Sequence, residues 1–148
     1  MTTKEGLANQ YRGFMSDLTI MWHNGEGDLV ALDDALLLDD TLTTAIIISL
    51  FTDARVENQR GWWGNSFSQN ELGSRLWTLS RAKQLASVLD EAQAYAEQAL
   101  QWLIQDKQAT HIEVNASNPK DGVLLLTVVV RLPNGATEQR TFYSTWSL

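Results

Sequence analysis

The sequence predicts an α+β fold in which a long amphipathic helix packs on a C-terminal three-stranded antiparallel sheet. Residues 82–106 repeat apolar side chains every three or four positions, which is typical of a helix with one buried face. Residues 111–146 contain three strand-forming runs separated by two turn sequences, which indicates an antiparallel meander. No Pro-, Gly- or Ser-rich linker divides the 148 residues. We therefore expect a single domain over residues 1–148, with residues 17–148 as its body and residues 1–16 as an N-terminal arm.

Composition argues against several classes of function. The net charge of −7 and the pI near 4.7 disfavour nucleic-acid binding, which needs a clustered basic surface. They also disfavour anionic membrane surfaces, and no stretch reaches the roughly 20 apolar residues of a membrane helix. The lack of cysteine removes disulfides and thiolate metal sites. The N-terminus has no apolar run typical of a signal peptide, so we expect synthesis in the cytoplasm without signal-peptide secretion.

An N-terminal β-hairpin is expected before the first helix. Residues 17–22 and 28–32 are rich in strand-forming side chains, and the sequence between them contains Asn24-Gly25, a strong turn signal. In the preceding arm the only dense apolar patch is residues 11–15. Two roles remain open for this arm, since it either covers a sheet edge or reaches a neighbouring chain.

Four aspartates surround a short apolar run after the hairpin: Asp33, Asp34, Asp39 and Asp40. Calcium loops place oxygen ligands at alternate positions around a glycine turn, and this spacing differs, so we expect no metal site. Instead, Asp40 or Thr41 is expected to cap the next helix. Residues 42–52 are ambiguous because Ile46–Ile48 are β-branched. A capped segment of this length fits a helix better than a strand, and its apolar character predicts burial.

The order of the remaining elements follows from length and pattern. We expect a short helix over residues 71–79. The middle C-terminal strand, residues 123–132, is apolar on both faces and therefore central, with one face on the long helix. The N-terminal hairpin or a neighbouring protein must cover its other face, because an exposed row of Leu and Val promotes aggregation. The last strand, residues 137–146, is a candidate edge for strand addition by a partner.

The segment from Arg60 to Trp77 has the most unusual composition in the chain. It holds three of the six tryptophans together with three glycines. Ordered glycines lose backbone entropy, and each indole offers about 150–250 Å² of surface to bury. We therefore expect the segment to dock against the core or against a protein partner. The alternative is an aromatic shelf for sugar, with Arg60 or Arg75 stacked on a ring.

No motif defines a catalytic centre. Glu57 and Glu71 flank the tryptophan segment, and two carboxylates are what glycoside cleavage requires, but no motif assigns either one as acid or base. The two histidines, His23 and His111, lack the spacing of zinc ligands. Neither a nucleophile elbow nor a phosphate-binding loop occurs. We therefore expect no catalytic residue, cofactor, metal or small-molecule substrate.

Four segments carry a resemblance to a known family: Ala45–Asp53, Arg60-Gly61-Trp62-Trp63, Gly73-Ser74-Arg75-Leu76-Trp77 and Ala99–Leu103. Together they resemble the Mu-like phage baseplate wedge proteins of the gene-46 type, which are distantly similar to the gene-25 and W components of other contractile tails. The resemblance covers residues 17–146. The gene-25 relatives carry a Glu-Pro-Arg triplet before the first C-terminal strand. This chain has different residues at 106–110, so no role of that triplet is carried over.

The resemblance implies a structural subunit of a baseplate wedge in the tail of a phage or of a phage-derived particle, assembling with other wedge, hub and sheath proteins. Trp and Arg dominate protein-interface hot spots, which makes them the expected anchors. The candidate contact residues are Arg60, Trp62, Trp63, Phe67, Arg75, Trp77, Phe142 and Trp146. Two alternative functions remain open, a cell-wall glycoside hydrolase and a carbohydrate-binding module of a tail.

Overall fold

The computed structural model describes residues 17–23, 25–33, 35–36, 38–39, 42–57, 59, 61–66, 72–82 and 86–145. Its strands are β1 (Asp17–Leu18), β2 (Ile20–His23), β3 (Glu26–Leu29), β4 (Ala31–Leu32), β5 (Ala35–Leu36), β6 (Leu38–Asp39), β7 (His111–Ser117), β8 (Val123–Arg131) and β9 (Thr137–Thr145). Its helices are α1 (Thr43–Phe51) and α2 (Ala86–Gln105), with short 3-10 helices at Trp63–Ser66 and Leu76–Leu79. The predicted α+β class is confirmed, whereas the expected arm over residues 1–16 lies outside the described residues.

The C-terminal meander forms as predicted. Strands β7, β8 and β9 pair in that order, both pairs are antiparallel, and β8 is central. Every second side chain of β8 is buried, namely Leu124, Leu126, Val128 and Val130. Helix α2 packs over this face with a buried stripe at the predicted three- and four-residue steps, which consists of Ala92, Ala96, Leu100 and Leu103. The resulting two-layer arrangement makes the core.

Helix α2 ends in a left-handed turn within residues 106–110. Lys107 has φ +59°, and the next amide, Gln108 N, donates to the carbonyl of Leu103 at 2.8 Å, while Lys107 N donates to Ile104 O at 3.1 Å. This pair of bonds satisfies carbonyls that a helix otherwise leaves open at its C-terminus. The turn brings the chain directly into β7.

The predicted hairpin is present, with β2 and β3 antiparallel and Gly25 at φ +83° in the turn. Its second strand is shorter than predicted and starts earlier, at Glu26. The Trp22 ring stacks on Phe51 of α1 with 3.7 Å between centroids, and Phe51 meets Phe142 edge-on at 6.0 Å. Because Phe142 points into the core, the hairpin lies on the helix side of the sheet. Of the two covers expected for the far face of β8, the hairpin is therefore excluded.

Beyond β3 the chain makes a side branch that the sequence analysis did not predict. Strands β4 and β5 pair with each other, and β6 returns to pair with β1. Asp33 occupies the β4–β5 turn at φ +50°, a conformation that Asp tolerates better than most residues. The described residues before α1 therefore form three two-stranded ladders rather than a single hairpin.

Helix α1 confirms the helical interpretation of residues 42–52, but its predicted cap is wrong. The N-cap is Leu42, which makes no side-chain capping bond. The threonines at the start of the helix bond to other elements instead. Thr43 Oγ1 accepts a hydrogen bond from Arg140 Nε of β9 at 2.8 Å, and Thr44 Oγ1 accepts one from the amide of Ile20 at 3.1 Å. The hydroxyls near this helix end therefore hold the sheet and the hairpin in place.

A buried serine connects the two helices. Ser49 is fully buried, donates to Ala45 O at 2.8 Å and accepts the indole N–H of Trp102 at 2.9 Å. The short helix predicted over residues 71–79 is a 3-10 turn confined to Leu76–Leu79. Its predicted start, Glu71, lies outside the described residues.

Replacing Ser49 with Ala tests the connection between the helices. The change leaves the Trp102 N–H without its acceptor in a partly buried site, which we expect to lower the free energy of unfolding by about 1–3 kcal/mol. Urea unfolding measures this cost. In a Trp102→Phe background, where the donor is already gone, Ser49→Ala should cost less by roughly 0.5 kcal/mol or more. Equal costs in both backgrounds would contradict the assigned bond.

Candidate protein-interaction surface

The tryptophan segment is anchored to the core by a small backbone network. Asp53 and Ser74 form a parallel bridge. Ala54 N donates to Ser74 O, and Ser74 N donates to Thr52 O, each at 2.9 Å. A third bond, from Trp62 N to Asp53 O at 2.9 Å, attaches the tryptophan segment to the same strand-like stretch. Trp62 is thereby fixed relative to the end of helix α1.

Side-chain bonds reinforce this network from both sides. Ser74 is 3% exposed, and its hydroxyl donates to the carbonyl of Leu50 in α1 and accepts the amide of Leu76 at 3.2 Å. The half-buried Trp77 donates its indole N–H to Ala54 O at 2.8 Å. Trp77 therefore helps to hold the tryptophan segment against the stretch around Ala54.

Two glycines allow the backbone to pack this closely. Gly61 has φ +100°, and a Cβ there would lie 2.8 Å from the Arg55 Cα. Gly64 is buried, and a Cβ on it would overlap the ring of Trp62. Gly64 therefore provides the flat backbone surface on which the Trp62 ring rests.

The network presents two neighbouring indoles to solvent. Trp62 is 40% exposed and Trp63 is 70% exposed, with 5.8 Å between their ring centroids and a 48° angle between their planes. Arg75, which directly follows the anchoring Ser74, is also exposed. We call Trp62, Trp63 and Arg75 the tryptophan surface. Its residues share one backbone anchor, because Trp62 N bonds to Asp53 O and Ser74, beside Arg75, bridges to Asp53.

The other predicted contact residues divide into three groups. Trp77 is half-buried and bonds to Ala54 O, so it supports the segment. Phe142 is 4% exposed and belongs to the core, so the structure removes it from the candidate surface. Arg60, Phe67 and Trp146 lie outside the described residues. The docked role of the segment was expected from its composition, but the role of Ser74 was missed. No local pattern marks a serine whose hydroxyl bonds to a helix carbonyl 24 residues earlier.

The free edge of β9, the second predicted contact, is partly occupied by side chains of the same chain. Leu132 N bonds to Ala136 O, so the backbone groups of alternate residues from Thr137 onward point away from β8. Among the outward-facing carbonyls, Gln139 O accepts Arg140 Nη1 at 3.0 Å and Tyr143 O accepts Trp22 Nε1 at 2.9 Å. A strand added here would have to displace both bonds.

The described residues offer little to a catalytic interpretation. No group of three or more His, Cys, Asp or Glu side chains among them is arranged to hold a metal ion. Glu57 is exposed in a tight turn at φ +51°, and its suggested partner, Glu71, lies outside the described residues. In this part of the chain no helix is long and apolar enough to cross a membrane.

Comparison with known proteins identifies the family. The model of the family described as "Phage protein GP46" matches residues 42–137, from the start of α1 to the first residue of β9. The chain belongs to the phage protein GP46 family. The matched range includes the whole tryptophan segment, helix α2 and strands β7 and β8. The resemblance to gene-46-type phage proteins, first suggested by the Arg-Gly-Trp-Trp and Gly-Ser-Arg-Leu-Trp sequences, is confirmed.

Two relatives extend the GP46 similarity toward the N-terminus. The "Mu-like prophage FluMu protein gp46" of Haemophilus influenzae is 64% identical over 135 residues, which cover 90% of this chain and 100% of the relative. The "Baseplate protein gp46" of Escherichia phage Mu is 42% identical over 132 residues, covering 82% of this chain and 91% of the relative. The similarity therefore spans nearly the full length of both relatives.

Glycine substitutions test how the tryptophan segment is packed. Gly61 and Gly135 both have positive φ, but Gly135 has no atom within 4 Å of an added Cβ, whereas Gly61 faces the Arg55 backbone. Gly135→Ala should cost about 1–2 kcal/mol from backbone strain alone. Gly61→Ala should cost a further 1–3 kcal/mol, roughly, from overpacking. Urea unfolding compares the two, and equal costs would contradict the close approach at Gly61.

Proposed function

We propose that this chain is a structural subunit of a phage tail baseplate wedge, and that it binds neighbouring baseplate proteins through the tryptophan surface. Membership of the GP46 family and the name of the phage Mu relative, a baseplate protein, support the baseplate role. In this proposal the protein is made in the host cytoplasm and resides in the virion tail. Its partners are other wedge, hub or sheath proteins.

The exposure of Trp63 is the observation that carries the proposal. An indole that is 70% exposed leaves a large apolar area in water, and burying it against a partner is favourable by about 25 cal/mol for each Å². Trp62 and its glycine support hold the neighbouring backbone in one conformation. A preformed surface loses less conformational entropy when it binds.

The position of Arg75 adds a polar component to this surface. Its guanidinium presents a planar fork of donors that matches a carboxylate, and Arg is enriched with Trp at interface hot spots. Ser74 fixes the backbone beside it through the bridge to Asp53. A partner with an acidic side chain next to an apolar pocket would satisfy both parts of the tryptophan surface.

We propose that the protein acts by binding and has no catalytic role. The two open alternatives make different measurable claims. A glycoside hydrolase would release soluble fragments from purified cell wall, and a carbohydrate-binding module would change its tryptophan fluorescence when soluble glycans are added. Under the proposal neither change occurs, whereas co-expression with the other baseplate proteins of the same genome yields a co-eluting complex.

Replacing Trp63 with Ala should weaken assembly without unfolding the chain. Loss of a hot-spot indole lowers the binding free energy by about 2 kcal/mol or more, which raises the dissociation constant roughly 30-fold. Size-exclusion co-elution with co-expressed baseplate proteins detects the loss, and the urea midpoint monitors the fold. Trp63→Phe, which keeps an aromatic ring, should retain part of the affinity.

A matched pair of arginine variants separates a specific contact from a general charge effect. Arg75→Ala should weaken the same complex, whereas Arg81→Ala removes another exposed cation six residues later and should leave it unchanged.

Unfolding of the Trp63→Ala variant would instead show that the Trp63 ring belongs to the core. Normal assembly of both Trp63→Ala and Arg75→Ala would refute the tryptophan surface as an interface.

A further inference from the structure

The excess acidic charge of this chain is confined to one segment. Residues 13–54 contain eight Asp and Glu side chains and no Lys or Arg, whereas residues 55–148 contain nine acidic and nine basic side chains. The acidic segment consists of β1–β6, helix α1 and the residues beside them. It therefore produces a negative field on one part of an otherwise balanced molecule.

The same segment exposes most of the large apolar side chains that reach solvent. Of the seven described ones, four lie on its short ladders: Leu18 at 41%, Met21 at 57%, Leu29 at 47% and Leu36 at 49%. Each ladder has only two strands of two to four residues, and isolated ladders of this size are marginally stable in water. A partner that covers these side chains would stabilise the ladders as well as bind to them.

An apolar groove runs between the hairpin and helix α1. Its walls include Ile20, Gly27 and Leu29 from the hairpin and Ile48, Phe51 and Thr52 from the helix. Gly27 lets Ile20 and Trp22 pack closely on the β3 backbone, because an added Cβ would lie 3.3 Å from Ile20 Cγ2 and 3.4 Å from the Trp22 ring. Asp28 also lines the groove, whereas the exposed Glu26 lies nearer the hairpin turn and outside the groove lining. The site thus has apolar walls and an acidic rim formed by Asp28.

The edges of the hairpin disfavour strand addition, so a partner is expected to bind through its side chains. On β3, the outward amide of Leu29 donates to Asp28 Oδ1 at 2.8 Å, and on β2 the amide of Ile20 donates to Thr44 Oγ1 at 3.1 Å. Both groups would otherwise be open donors for strand addition. With these donors occupied, the apolar walls become the main source of binding energy.

We propose that this groove binds a segment of a neighbouring baseplate protein in which aliphatic side chains are flanked by Lys or Arg. The aliphatic groups enter between Leu29 and Ile48, and a neighbouring cation pairs with Asp28 at the rim, within the negative field of the acidic segment. The inference rests on the proposed baseplate function and adds a second surface with its own partner chemistry. A second copy of this chain is disfavoured as occupant, because its acidic segment would meet another of the same sign.

Photo-crosslinking in the assembled complex identifies the occupant. The full-length chain carrying Leu29→benzoylphenylalanine is co-expressed with the other baseplate proteins of its genome, irradiated and analysed by peptide mass spectrometry. The expected product joins position 29 to a peptide of another baseplate protein that contains Leu, Ile or Val next to Lys or Arg. Crosslinks to residues 1–16 of the same chain, to a second copy, or to a peptide without basic residues would overturn the proposal.

A charge-matched pair of triple variants tests the acidic rim. Glu26→Gln/Asp28→Asn/Asp33→Asn removes three exposed charges from the acidic segment, and the carboxamide at position 28 still offers an oxygen to the Leu29 amide. Asp90→Asn/Glu91→Gln/Asp121→Asn removes three exposed charges from the balanced part, so both variants have the same net charge. The first should bind the crosslinked partner at least about two- to threefold more weakly with a smaller salt dependence, because it removes the exposed ion pair at Asp28 and reduces the negative field of the acidic segment. The second should bind normally.

The outcomes separate this inference from the proposed function. If the first triple variant binds as tightly as the second, the basic partner is excluded, while a defect in Trp63→Ala still supports the baseplate role. If the wild-type chain co-elutes with no baseplate protein, the proposed function fails and this inference fails with it. Unchanged thermal unfolding of the triple variants shows that a binding defect reflects lost contacts.

Discussion

Hydrogen bonds to helix α1 hold the surrounding layers of this protein in position. Four different segments donate to its side chains or carbonyls: Ile20 N to Thr44, Arg140 Nε to Thr43, Trp102 Nε1 to Ser49, and Ser74 Oγ to Leu50 O. Three of the accepting residues are almost fully buried, where an unpaired polar group would cost about 1–3 kcal/mol. Because each bond has one geometry, the hairpin, sheet, long helix and tryptophan segment have fixed positions around α1.

Much of the fold could be predicted because its signals are local. The apolar period of α2, the alternation in the C-terminal strands and the turn before Gly25 each depend on neighbouring residues alone. The incorrect predictions concern features that depend on contacts between residues distant in the sequence. The cap of α1 was assigned to Asp40 or Thr41, yet the structure starts the helix after Leu42 and uses the Thr43 and Thr44 hydroxyls for tertiary bonds.

The candidate site was predictable as a segment but not residue by residue. Six tryptophans look alike in a sequence, and their roles depend on where each indole N–H finds an acceptor. Trp22, Trp77 and Trp102 donate to Tyr143 O, Ala54 O and Ser49 Oγ, acceptors far away in the chain. Trp62 and Trp63 are distinguished by their exposure, 40% and 70%, the largest among the described tryptophans. The apolar groove between the hairpin and helix α1 was not predicted. Its two walls come from elements whose contact no local sequence pattern encodes.

Hydrogen exchange of the chain alone and in complex with its co-expressed baseplate proteins tests most directly whether a rigid α1 core supports two binding surfaces. The expected result is at least about tenfold slower exchange in residues 61–66 and 26–29 on assembly, with little change in helix α1, whose amides are already protected by its own hydrogen bonds. Unchanged exchange in both segments, with new protection only in the sheet, would contradict this description.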